Sequence, residues 1–138
     1  MLCQNTGLAF GGTWSRNGVI LFSAGVSRAL RRVDATGGGE CTVVGKDRPA
    51  SFPVFLPDGN HFLYAVGTSS VPGVYLATFD DPVGVKVLPD SSSVVYTPPA
   101  TTGGLAHLLF RRETSLMAQP FDHQRCSDCT FRCTLGHV

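Results

Sequence analysis

The chain has 138 residues, a formal net charge of +1, 43% hydrophobic residues and 15% charged residues. This length allows one domain with a core, and the low charge argues against disorder throughout. Its basic residues are scattered, and the doublets Arg31-Arg32 and Arg111-Arg112 do not make the concentrated basic face of a nucleic-acid-binding protein. No apolar run reaches the length of a membrane span, and the first residues lack the pattern of a secretory signal. We therefore predict no nucleic-acid partner and no membrane span.

In chain order, the apolar residues come in short bursts separated by turn residues, among them 16 Gly and nine Pro. This pattern predicts strands rather than long helices. The predicted strands span residues 12–15, 19–23, 30–35, 40–44, 51–56, 61–66, 74–79, 85–88, 94–97, 106–111 and 115–121. Asn17-Gly18 and Asp58-Gly59 predict tight hairpin turns with positive φ at both central residues. The bursts are continuous rather than alternating, which predicts that both faces of the sheets are packed.

The segments repeat with a spacing of 41 to 44 residues. Three matching pairs carry it: Gly18 and Gly59 are 41 residues apart, Phe79 and Phe121 are 42 apart, and Leu30 and Val74 are 44 apart. That period is expected for a four-stranded propeller blade. The predicted fold is all-β, a partial β-propeller of about three four-stranded antiparallel blades, with the third incomplete.

The repeat divides the chain into five parts. Residues 1–10 are a lead-in, 11–48 the first blade, 49–91 the second, 92–122 the incomplete third, and 123–138 a divergent Cys-rich tail. The positions predicted to be structural positions of the repeat are Trp14, Gly18, Phe22, Phe55, Pro57, Asp58, Gly59, Tyr64, Tyr75, Phe79 and Phe121.

These segments, taken in order, are similar to a known family. The stretches 11–22, 55–64, 74–75 and 116–122, with Pro57-Asp58-Gly59 as the sharpest match, resemble the TolB-like, WD-repeat-like propeller segments of bacteria. They resemble above all those at the C-terminal end of bacterial serine/threonine protein kinases. The resemblance covers residues 11–122 and implies a sensor or interaction role within a six- or seven-bladed propeller. In that family the kinase chemistry lies in a separate N-terminal domain, whose motifs this chain does not contain, so kinase activity is not implied.

The five cysteines do not form an evenly spaced disulfide framework. Reduced cysteines are therefore the default expectation. Because no signal peptide is seen, a cytoplasmic location is the default, although related propellers are often extracytoplasmic. In the tail, Cys126, Cys129, Cys133 and His137 have a spacing that suits a tetrahedral zinc site. A disordered or loosely packed tail is the favoured alternative, so we assign no metal and no cofactor.

Catalytic motifs are missing from the sequence, and we predict that the chain is not an enzyme. The four histidines, at positions 61, 107, 123 and 137, show no spacing typical of metal ligands. His61 and His107 occupy matching places in the repeat and are interpreted as structural positions rather than general bases. Asp58, the first residue of an Asp-Gly turn, is predicted to cap that turn.

The sequence therefore predicts a non-catalytic β-propeller repeat module for protein or ligand binding. Three blades cannot close a ring, so their outer faces should be covered by a protein partner or by self-association, three blades plus three, unless the chain is part of a longer polypeptide. Two alternatives remain. One is a detached sensor or regulatory fragment of a bacterial receptor-type serine/threonine kinase, and the other is a truncated chain with no independent function.

Overall fold

The structure is a computed structural model that describes residues 1–4, 9–45, 49–67 and 70–126. The described part is all-β, as predicted, with eleven strands followed by a 3-10 helix at His123–Cys126. The strands are β1 (Ala9–Trp14), β2 (Val19–Ala24), β3 (Ala29–Asp34), β4 (Thr42–Val44), β5 (Ser51–Phe55), β6 (His61–Val66), β7 (Gly73–Thr78), β8 (Val85–Leu88), β9 (Val94–Thr97), β10 (Ala106–Arg112) and β11 (Ser115–Phe121).

The strands form three antiparallel sheets in which each strand pairs with its neighbours in the chain. The first sheet, blade 1, has the order β1-β2-β3-β4, and blade 2 has the order β5-β6-β7-β8. Blade 3 has three strands, β9-β10-β11, as the prediction of an incomplete third blade requires. The first strand of blade 2 contacts the first strands of both other blades, β1 and β9. The chain is thus a partial β-propeller whose blades are stacked in chain order.

Blade 2 is covered on both faces, which explains its continuous apolar strands. Phe62 and Tyr64 on β6 pack in a core shared with blade 1, whereas Leu63 between them packs in a core shared with blade 3. The first core contains Leu21, Leu30, Val44, Ala50, Phe55, Phe62, Tyr64, Val66, Tyr75 and Ala77. The second contains Leu56, Leu63, Val74, Leu76, Val87, Leu88, Val94, Leu108, Phe110 and Phe121. Successive strand residues point to opposite faces, so a strand buried on both sides must be apolar throughout.

The two Gly-containing hairpins differ from their prediction in backbone conformation. Gly18 and Gly59 have φ of 78° and 76°, but neither Asn17 nor Asp58 has a positive φ, so the expectation for both central residues was wrong. In each hairpin the glycine N–H donates to the carbonyl three residues earlier, which is the bond of an ordinary β-turn followed by a left-handed glycine.

Side-chain oxygens hold these turns in place. The Ser15 hydroxyl accepts hydrogen bonds from the N–H groups of Asn17 and Val19. Asp58 Oδ1 does the same in blade 2, accepting from Asn60 N–H at 2.9 Å and His61 N–H at 3.0 Å. Asp58 therefore caps its turn, as predicted. Such local acceptors favour the observed turn over a mirror-image one.

The second hairpin is one residue longer than the first. Ser15 N–H donates to Val19 O in blade 1, whereas Leu56 N–H donates to His61 O in blade 2. Because of the extra residue, β6 matches β2 with an offset of 42, and Leu63 is the equivalent of Leu21. Both leucines face the next blade along the chain.

Cys3 and Cys41 form a disulfide with a Cα–Cα distance of 6.0 Å, which is typical of such bonds. It ties the first residues to the segment before β4. The expectation of reduced cysteines therefore does not hold for this pair. The two residues are 38 positions apart in the chain.

An ion pair joins the loop before β9 to the end of β10. Arg112 donates to both carboxylate oxygens of Asp90, at 2.9 and 2.7 Å, and this interaction lowers the pKa of Asp90 despite partial burial. We expect Asp90→Asn to reduce the free energy of unfolding at pH 7 by about 1 kcal/mol, since Arg112 is partly exposed and the pair is screened.

The pH dependence of this contribution follows from the direction of the pKa shift. Because the pKa is lowered in the folded state, the stabilisation is complete above the unfolded value of about 4 and is lost as the pH falls through the folded value. Urea denaturation of both proteins at pH 7 and pH 3 checks this. A wild-type advantage that is unchanged at pH 3 would contradict it.

Candidate functional site

The repeat positions predicted from the sequence occupy turns and blade cores. Gly18 lies in the β1–β2 turn, and Pro57, Asp58 and Gly59 form the β5–β6 turn. Phe121 is fully buried between blades 2 and 3. Trp14 differs from the others because 66% of its surface is exposed, at the end of β1.

The aromatic positions of blade 2 pack against one another. The ring centroids of Phe55 and Phe79 are 6.0 Å apart, and Phe62 contacts both rings. Tyr64 stacks on Tyr75 at 5.7 Å. Phe22, the blade 1 equivalent of Tyr64, is only partly buried because no blade precedes blade 1 in the described structure. These aromatic residues belong to the packing of the blades.

The predicted zinc set of the tail lies almost wholly outside the described residues. Cys126 ends the 3-10 helix, and Cys129, Cys133 and His137 follow it in the part of the chain that the structure does not describe. That site remains a prediction.

The structure brings together a different set of polar residues: Asp58, His61 and His123. Asp58 lies in the β5–β6 turn and His61 begins β6, so both belong to blade 2. His123 follows β11 and comes from the end of blade 3. The spacing of the histidines gave no sign of this group, in which the structure brings His61 and His123 together beside Asp58.

One oxygen of Asp58 is the centre of this cluster. Asp58 Oδ2 lies 2.5 Å from His61 Nδ1 and 3.4 Å from His123 Nε2, and the two imidazole centroids are 5.1 Å apart. All three side chains are partly buried. The other oxygen, Oδ1, accepts the two backbone hydrogen bonds of the turn. One oxygen of the carboxylate therefore holds the turn, and the other faces the imidazoles.

The chain places His123 through the turn after β11. Asp122 Oδ1 accepts a hydrogen bond from Gln124 N–H at 3.0 Å, which caps the start of the 3-10 helix. The capped turn holds the His123 ring beside the rim of blade 2.

The carboxylate is kept charged by its hydrogen bonds. Partial burial acts to raise the pKa of Asp58, but the hydrogen bonds from the His61 and Asn60 N–H groups and from the His61 ring outweigh it, so this pKa is lowered. On the neighbouring strand β9, burial raises the pKa of the Tyr96 hydroxyl, and the charges of Asp58 and Asp122 raise it further. The carboxylates of Asp58 and Asp122 therefore both act on the Tyr96 hydroxyl at the rim between blades 2 and 3.

A cavity of about 240 Å³ opens beside the two imidazoles. It is lined by His61, Leu76, Ala77, Thr78, Asp81, Gly84, Val85 and His123. Within the described residues, neither imidazole has a hydrogen bond with a hydroxyl or thiol, the contact that joins base and nucleophile in a hydrolase triad. Its chemical capacity is to supply two imidazole nitrogens, from residues that line the cavity, together with a carboxylate oxygen of the adjacent Asp58.

The sequence contains one signal for this cluster, the short spacing of two of its residues. Asp58 and His61 are three residues apart across a turn, which predicts proximity. His123 is 62 residues further on, and its approach depends on the packing of blade 3 against blade 2.

Comparison of the chain with protein-family models, with curated proteins and with solved structures found no match in any of the three. Among the described residues, no helix has both the length and the apolar character needed to cross a membrane.

Proposed function

We propose that this chain is a non-catalytic β-propeller repeat module that binds a second copy of itself, three blades plus three, through the outer faces of blades 1 and 3. One observation carries the proposal. The residues on these two faces are the repeat equivalents of residues that are buried between the blades within the chain.

The outer face of blade 1 is defined by Trp14, Ile20 and Phe22. Trp14 lies directly opposite Ile20 on the neighbouring strand, so both side chains point to the same face, and Phe22 follows two residues later. With the offset of 42, Ile20 and Phe22 are the equivalents of Phe62 and Tyr64, and those two residues pack on the preceding blade. This face is therefore of the kind that docks onto the blade before it.

The outer face of blade 3 is defined by Val95, Leu109, Leu116 and Ala118. Leu109 lies opposite both Val95 and Ala118, and Leu116 is two residues from Ala118 on β11. Val95 and Leu116 are 60% and 77% exposed.

The equivalents of this second face in blade 2 are buried. With the offset of 42 between β7 and β11, Val74 is the equivalent of Leu116 and Leu76 that of Ala118. Leu63 lies opposite Leu76, and Leu109 lies opposite Ala118, so Leu63 is the equivalent of Leu109. Leu63 and Val74 are fully buried against blade 3. The outer face of blade 3 is therefore of the kind that receives a following blade.

The two faces are complementary halves of one type of contact. Two copies arranged head to tail would bury both faces twice and close a ring of six blades, within the usual range for propellers. The resemblance to TolB-like repeats supports the same reading, since those repeats form six- or seven-bladed rings with sensor or interaction roles. A longer polypeptide that supplies further blades is the alternative occupant of these faces.

Multi-angle light scattering on the purified chain tests the proposal. We expect the mass of two chains for the wild type. Leu116→Glu should weaken dimerisation at least about 100-fold, because a charge then replaces a leucine at both interfaces, and each buried leucine contributes about 1.5–3 kcal/mol. Leu116 is largely exposed within one chain, so the substitution should leave the fold intact.

Val26→Glu is the control, because Val26 is a fully exposed valine in the β2–β3 turn, away from both faces. This variant should remain a dimer. A well-folded wild-type monomer, or a dimer that Leu116→Glu leaves unchanged, would contradict the proposal.

A further inference from the structure

We infer that Asp58, His61 and His123 form a binding site for a divalent first-row transition-metal ion at the junction of blades 2 and 3. The inference goes beyond the proposed self-association and stands on different residues. One ligand atom from each of the three side chains can be chosen so that all lie within 4.8 Å of one another.

The donor set suits this class of ion. Two imidazole nitrogens and one carboxylate oxygen are the protein ligands of many zinc sites and of sites for neighbouring transition metals. Mg²⁺ and Ca²⁺ prefer oxygen ligands, so two imidazoles select against them.

The distances need only local adjustment. Metal–ligand bonds of about 2.1 Å in a tetrahedral site place the ligand atoms about 3.4 Å apart. Asp58 Oδ2 and His123 Nε2 are already 3.4 Å apart. Asp58 Oδ2 and His61 Nδ1 are 2.5 Å apart and must separate by about 1 Å, which the partly exposed imidazole of His61 has room to do.

Hydrogen bonds that do not involve the ion order the two turns that hold Asp58 and His123. The turn is held through Asp58 Oδ1, so Oδ2 can exchange its hydrogen bond with the His61 ring for a metal ion without loss of the turn. His123 is held by the capped turn after β11. A site whose ligands are positioned before binding loses less entropy when it binds.

The cavity beside the imidazoles gives the ion an open side. Three protein ligands leave at least one coordination position, and the lining of the cavity includes Thr78 and the carboxylate of Asp81. Water or a small anionic or hydroxyl-bearing ligand can complete the coordination there.

Binding would also join two blades. Asp58 and His61 belong to blade 2, whereas His123 follows blade 3, so an ion bound to all three connects the two sheets. An ion that binds only the folded chain must stabilise it. Zinc should therefore raise the melting temperature.

The experiment is a Co²⁺ titration followed by visible absorption, on the full chain with Cys126→Ser, Cys129→Ser and Cys133→Ser. These three changes remove the thiolates of the tail, so that its own candidate site cannot supply the signal. We expect one Co²⁺ per chain, with d–d bands and without the intense near-ultraviolet bands of thiolate ligation. His61→Ala and His123→Ala in this background should each weaken binding by more than about 10-fold, the smallest loss expected even from altering residues that only orient a ligand.

His107→Ala is the matched control, since His107 occupies the corresponding place on β10 and is not part of the cluster. Its affinity for Co²⁺ should equal that of the parent, and Zn²⁺ should raise the melting temperature of the parent and of His107→Ala but not of His123→Ala. The inference is overturned if the parent binds no stoichiometric Co²⁺, or if binding is the same in both His61→Ala and His123→Ala.

Discussion

Leu63→Ala is expected to lower the free energy of unfolding by about 2–5 kcal/mol, the range for a fully buried leucine in a well-packed core. Leu63 is 0% exposed and lies in the middle of β6, the second strand of the central blade. Its side chain packs in the core between blades 2 and 3, among residues of both sheets. Truncation leaves a cavity that the neighbouring strands, held by hydrogen bonds on both sides, cannot fill.

Urea denaturation at a fixed protein concentration measures the loss, because self-association would make the apparent stability depend on concentration. Leu105→Ala is the matched control: it removes the same atoms from a leucine that is 49% exposed in the loop before β10. That variant should stay within about 0.5 kcal/mol of the wild type. Equal losses for the two variants would mean that Leu63 is not in a blade–blade core.

The sequence was sufficient for the strands because local patterns specify them. Each short apolar segment between turn residues forms a strand in the structure. The observed bounds equal the predicted ones for β6, β8, β9 and β11. The differences between predicted and observed strands lie at strand ends. Strand β1 begins at Ala9 rather than at Gly12, because an irregular pairing with β2 extends it toward the N-terminus. Such an irregularity depends on the partner strand and is not visible in the pattern of one segment.

The division into stacked blades could be predicted because the period of the repeat is that of a propeller blade. The backbone conformation of the turns could not be predicted. The choice between a mirror-image turn and an ordinary turn followed by glycine depends on which side chain accepts the backbone hydrogen bonds. In this chain the acceptors are the side chains of Ser15 and Asp58, and each binds backbone N–H groups two to four residues further along the chain. Preference for Asn-Gly and Asp-Gly alone does not distinguish the two conformations.

The candidate site could not be derived from spacing. The pair Asp58 and His61 is local, but His123 reaches it only because blade 3 packs on blade 2 and the capped turn after β11 redirects the chain. The disulfide between Cys3 and Cys41 likewise joins residues that are 38 positions apart and that the spacing of the cysteines does not single out as a pair. In this chain, therefore, the strands follow from the repeat, whereas contacts between distant segments, such as that of His123 with Asp58, depend on how the blades pack.

The turn between β7 and β8 imposes a steric requirement that is independent of burial. Gly84 has φ of 70°, and a Cβ atom added there would lie 1.9 Å from the carbonyl oxygen of Leu76, which is a backbone atom. Real Cβ atoms essentially never approach another atom so closely. Relief of this overlap requires the turn to move away from β7, which breaks the pairing of Leu76 with Val85.

Gly84→Ala is therefore expected to lower the free energy of unfolding by about 3 kcal/mol or more, through the positive φ and the backbone overlap together. Gly18→Ala separates the two causes, because Gly18 has a similar φ of 78° but an added Cβ would meet nothing within 4 Å. That variant should lose only about 1 kcal/mol, the contribution of the left-handed backbone conformation to an alanine. Urea denaturation of the two variants side by side gives the difference. The strain from the positive φ is common to both variants, so the difference between them measures the backbone overlap alone. A difference near zero would mean that the turn at Gly84 does not contact the backbone of β7. That result would contradict the close packing of β7 and β8 in the central blade.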